Sequence, residues 1–251
     1  MENYEEEKIL IARACDAVNL CERQNCIKFV GFLTPLQQEL VRRKMPESTA
    51  KTTFFGGYPG AERTLFAVLP DYLEEEDAAE LISVVEITGR DLKTLRHPDF
   101  LGSLLGLGIK REKIGDILIT DDKCLVLVTK GIEDYIVENL TKVGRCGVRV
   151  RKVSLGEIEI PQKNAEIIHS TVAALRLDSV IAAAAKTSRS VACTYISEGR
   201  VFLNWTQADN AAARVKPGDS FSVRGIGRFK LLEEVGETKK GRLSVDIEKM
   251  L

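Results

Sequence analysis

The sequence predicts an α+β chain of three small modules, and three observations carry that reading. The pattern of apolar residues switches repeatedly between the helical period and the strand period along the 251 residues. The stretch 81–165 reads strand, helix, strand, strand, helix, strand (βαββαβ). That is the order of a ferredoxin-like or RNA-recognition-motif-like (RRM-like) sandwich, with both helices on one face of an antiparallel sheet. The third observation is charge. Residues 1–80 hold 9 bases and 15 acids, whereas residues 186–230 hold eight bases and three acids, on a chain whose formal net charge is −1. The modules expected are an acidic α/β unit at 1–80, the RRM-like unit at 81–165 and a basic unit at 170–251.

In the first module Glu5 to Cys26 reads as one amphipathic helix, with Ile9, Ala12, Cys15 and Ala17 near its core face. Phe29–Leu33 reads as a strand, Thr34-Pro35 as a cap and first-turn pair, and Leu36–Met45 as a second helix. Thr52–Phe55 and Thr64–Leu69 are strands around Gly56-Gly57-Tyr58-Pro59-Gly60. That loop lacks the lysine and Ser/Thr of a phosphate-binding P-loop, which favours a hairpin or wide turn. Glu74-Glu75-Glu76-Asp77 marks a linker or a solvated helix start.

In the second module Leu81–Ile87 is a strand and Pro98–Leu105 a helix. Asp116–Thr120 and Lys123–Thr129 form a hairpin, Ile132–Leu140 is a helix and Cys146–Val153 a strand. Lys110-Arg111-Glu112-Lys113 and Arg145, Arg149, Arg151 and Lys152 offer positive charge to a polyanion. Exposed aromatics for base stacking are not evident in this module, so it reads as a spacer or an auxiliary RNA surface.

The third module predicts a helix-turn-helix followed by short strands. Leu177, Val180, Ile181, Ala184 and Ala185 make one apolar stripe, and Lys186-Thr187-Ser188-Arg189-Ser190 breaks it. Ser188 or Ser190 is placed to cap a second helix, which carries Val191, Thr194, Tyr195 and Ile196 and stops at Gly199. Val201–Leu203 reads as a strand, and Lys216-Pro217-Gly218-Asp219 as a turn into the strand Ser220–Arg224. A local cationic surface on a near-neutral chain is the footprint of a polyanion partner. Arg189 and Ser190 sit at a helix start, where free N–H groups favour a phosphate. The rival view, that the arginines form an ordinary solvated face, is disfavoured by their clustering with that helix start.

These residues carry a resemblance. Arg176-Leu177-Asp178, Ser188-Arg189-Ser190, Gly199-x-Val201-x-x-Asn204, Pro217-Gly218-Asp219 and Val223-Arg224-Gly225-x-Gly227 occur in the order and spacing of the αL RNA-binding motif, or S-four domain. That motif is shared by a small-subunit ribosomal protein, tyrosyl-tRNA synthetases, pseudouridine synthases and a heat-shock ribosome-binding protein. With the acidic first module and a middle module containing Gly108-Ile109-Lys110-Arg111-Glu112-Lys113-Ile114-Gly115-Asp116-Ile117, the whole chain resembles the bacterial YlmH family. The resemblance implies an RNA-binding protein of the ribosome, on a large subunit carrying stalled peptidyl-tRNA, acting in rescue and quality control of translation. It also implies a link to cell division, and relatives in photosynthetic lineages are linked to photosystem assembly.

The expected contacts are Lys186, Arg189, Arg200, Arg224, Arg228 and Lys230 on phosphates, with Ser188, Ser190 and Asn204 donating hydrogen bonds to the RNA backbone or a base edge. One cationic face is expected to present them. No catalytic residue, metal or cofactor is expected. The six cysteines lack zinc-ligand spacing, and His97 and His169 have no evident partner. Gly241-Arg242-Leu243-Ser244 resembles a pseudouridine synthase active-site sequence with serine in place of its aspartate. With no apolar run near the ~20 residues that span a bilayer, the expectation is a cytosolic monomer whose partner is structured RNA, rRNA or tRNA. Two other readings stay open: an RNA-modifying enzyme, and an adaptor of the division machinery acting through protein contacts.

Overall fold

The structure, a computed structural model, describes residues 2–46, 49–158, 165–237 and 241–250. The chain divides into two compact units, residues 1–161 and 162–251.

The first unit opens with α1 (Glu2–Gln24). Its buried stripe is Leu10, Ala14, Ala17, Val18 and Cys21, while Ile9 is exposed. Of the four core positions expected, Ala17 is buried and Cys15 half-buried, whereas Ile9 and Ala12 are exposed. The reason is charge: a face centred on Ile9 carries Arg13 and Asp16 inward, whereas the observed stripe carries none.

β1 (Lys28–Leu33) follows, and Thr34 then caps α2 (Pro35–Lys44) with a reciprocal capping box: its hydroxyl accepts from the Gln37 N–H, and the Gln37 side chain accepts from the Thr34 N–H. β2 (Lys51–Phe55) and β3 (Thr64–Leu69) complete a sheet of order β1-β3-β2. β2 and β3 are antiparallel neighbours, so the glycine-rich segment is the turn joining them. Asp116 fixes this turn, accepting from the Tyr58 hydroxyl at 2.7 Å and from the N–H groups of Glu62 (2.7 Å) and Arg63 (3.0 Å). The acidic run leads into a short 3-10 helix, Glu75–Leu81.

β4 (Ile82–Gly89), α3 (His97–Gly106), β5 (Ile114–Ile119), β6 (Lys123–Thr129), α4 (Glu133–Asn139), β7 (Lys142–Val143) and β8 (Cys146–Val153) make the βαββαβ unit. The sheet order β5-β6-β4-β8-β7 is all antiparallel, and apart from the added β7 it is the order of a ferredoxin-like sheet. Phe100, Leu104 and Ile136 bring the two helices onto Val85, Ile87, Val126 and Val128.

The three-stranded sheet packs on the other face of this one through Phe32, Leu65, Ile82, Val84, Leu125 and Leu127. The Arg63 guanidinium is buried there, donating to the carbonyls of Phe32 (2.6 Å) and Ile114 (3.1 Å). Burial lowers its pKa to about 10, assisted by the charge of Arg111. Residues 1–80 and 81–158 therefore share an interior.

The second unit begins with β9 (Ala165–Val172), then α5 (Leu177–Ala184) and α6 (Arg189–Ser197). β10 (Val201–Leu203), β11 (Thr206–Gln207), β12 (Ser220–Val223), β13 (Gly227–Glu237) and β14 (Leu243–Met250) follow. Its sheet has the order β11-β10-β12-β13-β14-β9. Leu177, Val180, Ile181, Ala192 and Ile196 from the helices meet Val201, Phe221, Val223, Phe229, Leu231, Val245 and Ile247 from one face of the sheet. β9 and β14 pair antiparallel over eight residues, and with β11 and β13 they are the elements of this unit that the sequence reading lacked.

Candidate nucleic-acid interface

The expected contact residues all lie in the second unit, and its local geometry explains where each points. α5 ends in a Schellman motif: the Thr187 N–H donates to the Ala182 carbonyl at 2.9 Å and the Lys186 N–H to that of Ala183 at 3.3 Å. Lys186 sits at the left-handed position, φ 51°, where glycine is usual. Its exposed ammonium is 3.7 Å from Glu166.

Ser188 caps α6, its hydroxyl accepting from the Val191 N–H at 3.3 Å, and lies 2.8 Å from the Ser190 hydroxyl. Arg189 is the first helical residue. Its guanidinium donates to Asp178 at 2.6 Å, yet its side chain stays 57% exposed. Asp178, only 2% exposed, also accepts from Arg176 at 3.1 and 3.2 Å and from Ser179 at 3.2 Å. Burial pushes its carboxyl up, but the hydrogen bonds and charges of the two arginines outweigh that and hold the pKa down at about 2.

The other bases lie on strands and turns. Arg200 follows Gly199, which takes φ 67° to end α6. The Arg200 guanidinium stacks 4.6 Å from the centroid of Tyr195 and donates to the Arg224 carbonyl at 2.9 Å and to Glu198 at 3.2 Å. Arg228 and Lys230 alternate along β13 with the buried Phe229 and Leu231, so they occupy the sheet face away from the helices. Arg228 faces Ser222 across the ladder, and Lys230 faces Ser220. Arg224 lies in the turn before β13, its guanidinium 5.8 Å from the centroid of Phe202. Asn204 is engaged in the fold: its amide donates to Asp219 at 2.9 Å, and its carbonyl accepts from the Ser220 N–H at 3.0 Å.

The bases thus form two groups. Lys186 and Arg189, with Ser188 and Ser190, gather at the turn between the helices; Arg224, Arg228 and Lys230 gather at the far face of the sheet. Arg200 stands at the helix–strand junction between them. The single face expected from the sequence is corrected to these two, because the helices cover one side of the sheet and strand alternation sends the β13 bases to the other.

Sequence reasoning also missed Trp205. It shares the β10–β11 hairpin loop with Asn204, and the two residues have φ 62° and 45°. These are the signs of a type I′ turn, whose usual residues are Asn-Gly. With tryptophan at the second position the turn costs on the order of 1–2 kcal/mol of backbone strain. The turn signal was hidden because its glycine is absent.

In the Lys110–Lys113 run of the first unit the two middle residues are engaged in the fold, while Lys110 and Lys113 are exposed. Arg111 donates to the Ile114 carbonyl, and Glu112 accepts from Arg13 at 2.7 Å. Arg151 pairs with Glu86 at 2.6 Å and Lys152 with Asp134 at 2.7 Å. Arg145 and Arg149 line an open groove with Arg90 and Asp91. His169 does have a partner, Asp246 at 2.7 Å, directly opposite it on the exposed side of β14. Arg242 and Leu243 of the Gly-Arg-Leu-Ser sequence lead into β14, with Arg242 donating to the Thr171 carbonyl at 2.9 Å. Among the described residues no group of metal-ligating side chains comes together, and no helix is long and apolar enough to cross a membrane.

Comparison with known proteins follows the same division. Residues 75–157 match the family model described as a putative RNA-binding domain in YlmH, and residues 175–221 match that of the S4 domain. The chain is 30% identical over 245 residues to a Bacillus subtilis (strain 168) protein named "Ribosome-associated protein quality control protein P2", covering 97% of this chain and 95% of that one. A solved structure, "Cell division protein ylmH from Streptococcus pneumoniae", superposes with a TM-score of 0.52 at 19% identity, over 62% of this chain and 94% of the other. That likeness concerns the fold.

Proposed function

The chain belongs to the YlmH family of S-four-domain RNA-binding proteins, and from that premise we propose that it docks on structured RNA of the large ribosomal subunit in the quality control of stalled translation. The observation that carries the reading is the Arg189 site. A buried carboxylate fixes an exposed guanidinium at the first turn of α6, beside the hydroxyls of Ser188 and Ser190. Such a rigid cluster meets a phosphate with little ordering of side chains left to lose.

The second cationic group, on β13 and the preceding turn, gives RNA a separate hold, so two segments of a folded RNA are gripped at once. Recognition is then by backbone position, which suits structured RNA. Among the expected contacts, Asn204 serves by shaping the hairpin, since its amide is committed to Asp219 and Ser220. The Bacillus subtilis relative's name supplies the ribosome and quality control. The protein is taken to act in the cytosol as a monomer, without a cofactor or catalysis of its own.

Co-sedimentation with ribosomal subunits across a salt series tests the proposal. Arg189→Ala and Arg228→Ala, alone and together, are expected to weaken binding, and each to reduce the salt slope by roughly 1. Unchanged sedimentation of the double variant over the series refutes it. Sedimentation indifferent to nuclease would instead point to a protein-contact adaptor of the division machinery, and a modified nucleotide missing from cells without the protein would point to an enzyme.

A further inference from the structure

On the far face of the second unit's sheet, Phe202, Trp205, Ser220, Ser222 and Arg228 line a pocket of about 110 Å³, bordered also by Phe221, whose ring is buried among the core residues. Phe202, Ser222 and Arg228 are consecutive partners across β10, β12 and β13, so they form one row on that face. The guanidinium of Arg224 lies over the Phe202 ring, and Lys230 extends from the neighbouring position beside Ser220.

Trp205 stands at the tip of the hairpin, 38% exposed, in a backbone conformation that glycine adopts freely and a bulky residue does not. Asn204 holds that turn to β12 with two hydrogen bonds, so the indole is presented by a fixed backbone. The fold thus keeps a large aromatic at a position where its backbone would favour glycine, amid positive charge and hydroxyls.

We propose that this pocket takes an unpaired nucleobase of the bound RNA, stacked on Trp205 and Phe202, with Arg224, Arg228 and Lys230 on the flanking phosphates and Ser220 and Ser222 at the base edge. The inference rests on the RNA-binding reading and deepens it. The second cationic group becomes a reader of single-stranded nucleotides, while the Arg189 group holds backbone. Charge complementarity selects the occupant, since an aromatic shelf ringed by arginines fits a base with its phosphates.

Trp205 is the only tryptophan of the chain, so its fluorescence reports this pocket alone. The probe is an end-labelled RNA hairpin with a single-stranded purine loop, compared with the same hairpin made abasic in the loop. Wild-type protein is expected to bind the intact hairpin with quenching of Trp205, and to bind the abasic hairpin more weakly and without quenching.

Trp205→Gly relieves the backbone and should leave the thermal midpoint equal or higher, while affinity for the intact loop falls about 5- to 150-fold, the range for loss of one stacked base. Trp205→Phe, which keeps a ring, should retain most of the affinity. Binding of the intact hairpin by label anisotropy without quenching, or with equal affinity in Trp205→Gly, overturns the stacking assignment and leaves RNA binding standing. Failure of the labelled hairpin to bind at all overturns both.

Discussion

Replacing Asp178 by asparagine removes one charge from the interior of the second unit and tests why Arg189 is where it is. The carboxyl is 2% exposed and accepts from Arg176, Ser179 and Arg189. Its pKa falls from 3.8 to about 2 on folding. That depression corresponds to about 2 kcal/mol of stability at neutral pH. A depressed carboxyl stabilises above its unfolded value, so the contribution is complete above about pH 5 and disappears as pH falls through 4 towards 2.

The larger penalties of broken buried ion pairs do not apply, because both arginines reach solvent and stay hydrated when the carboxylate is gone. Urea unfolding of the full chain, followed by Trp205 fluorescence, reads the second unit. Asp178→Asn is expected to lose about 2 kcal/mol at pH 7, a midpoint shift of about 1 M or more at urea slopes of about 1–2 kcal/mol/M. The variant should also lose the wild-type decline between pH 4 and pH 2. A loss below about 0.5 kcal/mol, or an unaltered acid limb, would refute the role given to Asp178.

Lys186→Gly relieves the left-handed backbone at the end of α5 and should stabilise the second unit by up to about 1 kcal/mol, while reducing the salt slope of RNA binding by roughly 1; the same two assays read both. Thr34→Ala removes the acceptor of the α2 capping box and should cost about 1 kcal/mol in urea unfolding followed by circular dichroism. Burial pushes the Cys124 thiol up to about 12, so native protein treated with iodoacetamide at pH 8 should leave Cys124 unalkylated while the half-buried Cys146 reacts; peptide mass spectrometry distinguishes them.

Elements whose signal is local were legible in the sequence. The cap at Thr34, the βαββαβ order, the α5–α6 turn with a serine cap at Ser188 or Ser190 and the stop at Gly199 each depend on a few adjacent residues; the structure chooses Ser188. β14 was not read as a strand, although Leu243, Val245 and Ile247 alternate with polar residues, because its first two residues also close the Gly-Arg-Leu-Ser sequence. What stayed hidden depends on residues distant in sequence. Asp178 meets Arg189 eleven positions on, and Asn204 meets Asp219 fifteen positions on. The division of the bases into two groups follows from which sheet face the helices cover, and β13 alternation shows this only once Phe229 and Leu231 are known to be inside.

The Arg63 guanidinium, donating to Phe32 on one side and Ile114 on the other, has a practical bearing on how the protein can be dissected. The family match begins near residue 75, but trimming the chain there would strip Phe32 and Leu65 from the outer face of the RRM-like sheet and leave Ile82, Val84, Leu125 and Leu127 bare to water. Such a fragment would be prone to clump however well its own helices packed. Inheritance draws the border of the RNA-binding segment at one place, and the physics of its oily underside draws it some seventy residues earlier.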